Sequence, residues 1–219
     1  MMKLSYPDTK LQLIITLTMF VFQLSCEQTN NWIDYNQIDV VRTPRDSTFY
    51  FNGELFDGII KKFDKNGNNI LEFNVKNGQL NAKYIEFYSN GNIKLKSNYF
   101  SGKLNGEYIS YFKNKNINQE TYYKQGLIDG KRKTYWLNGS IKEISELKLG
   151  ALKGECLFYY SNSNPRKRIL FDKYGNRDGV WLDYFQNGNI KSKIEYKSGV
   201  IINSLQKYDV NGNLLKTSN

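Results

Sequence analysis

Residues 126–150 read GLIDGKRKTYWLNGSIKEISELKLG, and this stretch decides the fold. Asn138-Gly139 stands between two runs rich in β-branched and aromatic residues, the strongest short-range hairpin signal, because a type I′ turn needs positive φ at both central residues. The glycine pair Gly126 and Gly130 supplies the return turn that leads from one hairpin to the next, and Gly150 starts the pattern again. No stretch of the chain keeps a 3.6-residue apolar period over helical length, so helix is not expected beyond the N-terminal segment.

Working outward, a period of 24 residues, with one spacing of 25, aligns seven copies that begin near Glu54, Gly78, Gly102, Gly126, Gly150, Gly175 and Gly199. Asparagine stands twelve residues into each copy, at Asn66, Asn90, Asn114, Asn138, Asn162, Asn187 and Asn211. Glycine follows it in five of the seven, with Lys115 and Ser163 as the substitutes. An aromatic ring precedes each asparagine by three: Phe63, Phe87, Tyr111, Tyr135, Tyr159, Tyr184 and Tyr208. Columns this regular mark a repeat architecture. The expected fold is all-β, an elongated single-layer antiparallel β-meander of about seven 24-residue hairpins over residues 54–219. The copy at Gly150 departs most, with Ser163, Pro165 and an extra residue before Gly175, and a bulge or broken edge is expected there.

A two-residue turn at Asn-Gly would pair Trp136 with Ile141 and Phe185 with Ile190 as core contacts. On the opposite face it would set Tyr135 against Lys142, Tyr159 against Arg166 and Tyr184 against Lys191, an aromatic and basic pair about every 10 Å. A longer turn shifts the register and dissolves this face assignment. Tyr111, Tyr135, Tyr159 and Tyr184 with Lys142, Arg166 and Lys191 are therefore the candidate partner-binding residues, and packing of the same rings is the alternative.

Composition narrows the chemistry. The chain has 219 residues, 31 Lys plus Arg against 21 Asp plus Glu, a net charge of +10 and no histidine. That removes Ser/His/Asp and Cys/His nucleophilic catalysis and every His-ligated metal site. Glu107, Glu155 and Asp183 read as single solvated carboxylates with no acid/base spacing. Cys156 falls in the column of Tyr84, Tyr108 and Trp181, where a small core filler is the simplest reading. Gly126 through Arg132 has the wrong spacing for a phosphate loop. Neither a catalytic site, a metal nor a cofactor is expected, and the chain reads as no enzyme. Arg166-Lys167-Arg168 beside Tyr159 and Tyr160 could serve nucleic acid, an anionic surface, or simple edge protection of a tyrosine-rich sheet. Edge protection weighs most and nucleic acid least.

Residues 1–25 have the form of a signal peptide: Lys3 and Lys10 precede an uncharged run over residues 11–24, LQLIITLTMFVFQL, too short for a bilayer span at about 20 residues. Leu24-Ser25-Cys26 then resembles a bacterial lipobox, which implies lipid attachment at Cys26. Gln23 and the pair Pro7-Asp8 depart from that pattern. A buried apolar element and an uncleaved anchor are the alternatives. Residues 26–53 read as an N-terminal tether and cap.

The columns Gly-x-Leu-x-Gly, aromatic, then Asn-Gly-x-Ile-Lys resemble the MORN-repeat variant of the bacterial YwqK-family antitoxins, best over 102–123, 126–141 and 175–196. The resemblance implies a non-enzymatic β-hairpin array serving as an attachment or recognition module. Joined to the lipobox reading, it gives a monomeric, membrane-anchored binding or scaffold protein of the bacterial cell envelope, at the outer membrane or cell surface. Its expected partner is a protein or an anionic membrane or glycan surface. The alternative is an antitoxin-like protein that binds and neutralises a toxin.

Overall fold

The computed structural model describes residues 31–43 and 47–218; the signal-peptide and Cys26 readings lie outside the described residues. Fourteen strands make seven antiparallel hairpins in sequence order. They are Gly58–Phe63 with Asn69–Lys76, Gln79–Phe87 with Ile93–Phe100, Lys103–Tyr111 with Ile117–Lys124, and Gly130–Tyr135 with Ile141–Lys148. Ala151–Tyr159 with Pro165–Phe171, Gly179–Tyr184 with Ile190–Lys197, and Val200–Tyr208 with Leu214–Ser218 complete the meander. Each strand pairs with the one before and the one after it, as the repeat predicts. Trp32–Asp34 adds a parallel strand beside Gly58–Phe63, and Leu127–Ile128 a short strand beside Ile117–Lys124.

The turns are the reverse of the sequence expectation. At Asn138-Gly139 only Gly139 takes positive φ, 86°. Its N–H donates to the Trp136 carbonyl at 2.8 Å, and the Trp136 N–H donates to the Ser140 carbonyl at 2.8 Å. This is the three-residue loop, a type I turn closed by a left-handed residue. The same pattern recurs in all seven Asn turns, with Lys115 (φ 73°) and Ser163 (φ 69°) carrying the left-handed position where glycine is missing. The two-residue turns with both φ values positive lie instead between copies. They are Asn52-Gly53, Asn77-Gly78, Ser101-Gly102, Gln125-Gly126, Leu149-Gly150 and Ser198-Gly199. The second glycine of the pair is not part of that turn: Gly106 (φ 109°) and Gly130 (φ 140°) sit further along the strand.

The extra residue before Gly175 is absorbed in the turn. Asp172 through Asn176 form another three-residue loop, with the Gly175 N–H on the Asp172 carbonyl at 3.1 Å. Pairing beyond it is short, with only Lys167↔Asp183 and Arg168↔Leu182 in register besides a single bridge at Phe171↔Arg177.

At Asn114, Asn138 and Asn187 the side chain serves as both acceptor and donor. The Asn138 side-chain oxygen accepts from the Ser140 N–H at 3.0 Å, and its amide nitrogen donates to the Ser161 carbonyl of the next copy at 2.9 Å. Asn187 does the same with the Asn189 N–H and the Val210 carbonyl. Asn138→Asp keeps the acceptor and loses the donor, leaving a carboxylate facing a carbonyl. The expected loss is about 1–2 kcal/mol, read as a lower urea midpoint.

A conventional core exists at the N-terminal end. Asp39–Arg42, Ser47–Phe51 and Glu54–Leu55 form a small second sheet that lies on the first hairpins. Ile38, Phe49, Phe56, Ile60, Phe73 and Val75 are buried together there. Farther along, a single layer buries what it can by alternating sizes across the strands. Ser97, Tyr108 and Thr121 are successive partners, and Ser145 and Cys156, each 1% exposed, sit low between larger neighbours.

Candidate functional site

The three-residue loop sets the geometry of the candidate residues. It brings Tyr111 opposite Ile117, Tyr135 opposite Ile141, Tyr159 opposite Pro165 and Tyr184 opposite Ile190. The expected Tyr135–Lys142, Tyr159–Arg166 and Tyr184–Lys191 pairs are not formed, and neither are the expected Trp136–Ile141 and Phe185–Ile190 pairs. The ladder skips one residue next: Thr134 faces Glu143, so Lys142 is a bulge without a cross-strand partner. Arg166 and Lys191 occupy the same bulge in their own hairpins.

Freed from the ladder, the three cations lie against other rings. Lys142 Nζ is 4.8 Å from the Trp136 centroid, the Arg166 guanidinium 5.5 Å from Phe158, and Lys191 Nζ 5.8 Å from Phe185. All three are exposed and make no ion pair among the described residues. Lys94, in the same column, is instead paired with Glu86 at 2.8 Å, and this charge-assisted bond holds its ammonium above the usual lysine range. Arg166, Tyr184 and Lys191 line one shallow groove together with Tyr160, Lys167 and Asp183. Within it Lys167 and Asp183 are bound to each other at 3.2 Å.

The four tyrosines are half-buried. Tyr135 donates its hydroxyl to Glu120 at 2.8 Å; burial, then that carboxylate, pushes its phenol up to about 12. Tyr111, Tyr159 and Tyr184 lend their backbone carbonyls to the preceding copy: Tyr88 Oη donates to Tyr111 at 2.7 Å, Trp136 Nε1 to Tyr159 at 3.2 Å and Tyr160 Oη to Tyr184 at 2.8 Å. These bonds fix Tyr88, Trp136 and Tyr160 across the copies. Sequence reasoning missed Trp136, Phe158 and Phe185 as companions of the cations, while it does set Tyr160 beside Arg166. The signal was the constant interval of six residues from Tyr135 to Ile141 and from Tyr184 to Ile190, which fits a three-residue loop followed by a bulge.

Cys156 lies outside this surface. It is buried and unbridged, and burial pushes its thiol above the ordinary range. Titration bears instead on the turns. Side-chain and backbone bonds from Asn68 hold Asp64 below its ordinary 3.8, those from Asn213 do the same for Asp209, and a bond from Lys148 lowers Asp129. A depressed carboxyl stabilises the fold above its unfolded pKa, and that contribution is lost as pH falls through the folded value. The thermal midpoint is therefore expected to fall below about pH 4, and Asp64→Asn with Asp209→Asn to flatten that decline, checked by melting curves from pH 6 to pH 2.

No curated protein matches the chain. The repeat unit itself is recognisable. Residues 80–100, 104–125, 128–148 and 177–198 each cover one Asn-turn hairpin, and all four match the model of the MORN repeat variant.

Proposed function

We propose that this chain is a non-enzymatic, lipid-anchored binding and scaffold module of the bacterial cell envelope, attached through Cys26 and presenting its hairpin array to a partner. The observation that carries the reading is the array: stacked hairpins matched to the MORN repeat variant, with a row of unpaired cations on an open sheet. The anchor rests on the apolar run at residues 11–24 and on Ser25-Cys26. The partner is a protein or an anionic surface, engaged by one copy of the chain.

Metabolic labelling with a fatty-acid probe, with membrane fractionation, tests the anchor. Label on the wild type that disappears in Cys26→Ala supports an envelope lipoprotein. An unlabelled chain, soluble in the cytosol, overturns the anchor and leaves toxin neutralisation as the role to pursue, with capture of a small toxic protein as its readout.

A further inference from the structure

We infer that the stripe of bulge cations Lys142, Arg166 and Lys191 is a binding site for a linear acidic polysaccharide carrying one anionic group per repeat of about 10 Å. This deepens the binding-module reading and rests on it. Spacing comes first. The three residues stand at the same step of successive hairpins, two strands apart, so their anchor points recur at about 10 Å along the direction that crosses the strands. That interval is close to the length of a disaccharide unit.

Charge comes second. Lys167 and Arg168, next to Arg166, are neutralised within the sheet by Asp183 at 3.2 Å and by Glu155, while the three bulge cations make no ion pair among the described residues. Each is held against a ring, at 4.8, 5.5 and 5.8 Å, so the charge is presented by a positioned side chain.

Other polyanions fit less well. Bases stack on open ring faces, and here the cations already cover Trp136, Phe158 and Phe185. An extended peptide gains affinity by joining a strand edge, and this stripe runs across strands already paired on both sides. Exposed apolar side chains stand at both edges, Phe100, Leu149 and Val200 at the return turns and Leu137 and Val210 at the Asn turns, so they single out no membrane-facing edge.

The test uses the full chain with hyaluronan oligosaccharides, which carry one carboxylate per disaccharide, measured by calorimetry over a salt series. Binding is expected, and Lys142→Gln, Arg166→Gln and Lys191→Gln together are expected to weaken it at least tenfold. The slope of log affinity against log salt should fall by about two to three. The matched triple Lys76→Gln, Lys103→Gln and Lys124→Gln removes the same charge at the other edge, and should stay within about twofold; circular dichroism verifies that both fold. Equal loss in both triples overturns the site. No binding of hyaluronan, or tighter binding of poly-dT, poly-glutamate or phosphatidylglycerol vesicles, overturns the polysaccharide assignment. None of these results depends on Cys26, so failure here and failure of the envelope reading are separately visible.

Discussion

Gly78→Ala is expected to destabilise the protein by about 2–4 kcal/mol, and Gly91→Ala by only about 1. Both glycines have positive φ, 69° and 79°, so both substitutions place a Cβ in the left-handed region. They differ in what surrounds them. A Cβ on Gly78 would meet Leu55 Cδ2 at 2.6 Å, Thr48 Cγ2 at 3.0 Å and the Phe49 carbonyl at 3.1 Å, whereas Gly91 has nothing within 4 Å. The Gly78 backbone also bonds to the small sheet and to the residue that follows it, accepting from Phe49 N at 2.8 Å and donating to the Phe56 carbonyl at 2.9 Å. The collision therefore unseats the small sheet from the first return turn. Urea titrations of the two variants measure the difference, and equal costs would mean that the small sheet is not seated on Gly78.

Phe73→Ala is expected to cost about 3–5 kcal/mol, the usual range for deleting a buried ring. Phe73 is 2% exposed, and its ring lies 5.2 Å from Phe49 and 5.8 Å from Tyr84, joining the small sheet to the first two hairpins. Phe100, 65% exposed at a return turn, provides the control, and Phe100→Ala should change stability by less than about 0.5 kcal/mol. Because each hairpin touches only its neighbours, the loss should be local at first. Hydrogen exchange is expected to show the amides of Asn69–Lys76 losing protection in the Phe73 variant while those of Ile190–Lys197 keep theirs. Uniform loss along the sheet would show that the hairpins unfold as one unit.

The seven hairpins, their order and the strand count were legible in the asparagine and aromatic columns, because a period of 24 residues survives any detail of the turns. The turn types were not. Asn-Gly is the usual mark of the two-residue turn, yet Asn138-Gly139 forms the longer loop while Leu149-Gly150 takes φ values of 48° and 85°. The reason lies between copies: the Asn138 side chain bonds forward to Ser161, and the Gly150 N–H bonds back to the Ile128 carbonyl at 2.8 Å. Such contacts outweigh a local left-handed preference of about 1–2 kcal/mol.

The candidate surface was legible to a similar degree. Lys142, Arg166 and Lys191 stood out as a periodic basic column, but their register depended on one residue of loop length, and a one-residue slip moves every side chain to the other face. The parallel strand Trp32–Asp34 carried no signal, since three residues are too few to show a period.

The most direct test of the account is the cross-strand register at an Asn turn, because the bulge that frees the cations exists only if the loop has three residues. Nuclear Overhauser effects on the labelled chain read it from backbone protons. The account predicts contacts of Tyr135 with Ile141 and of Thr134 with Glu143, leaving Lys142 unpaired. Contacts of Tyr135 with Lys142 and of Trp136 with Ile141 would restore the two-residue turn and remove the stripe.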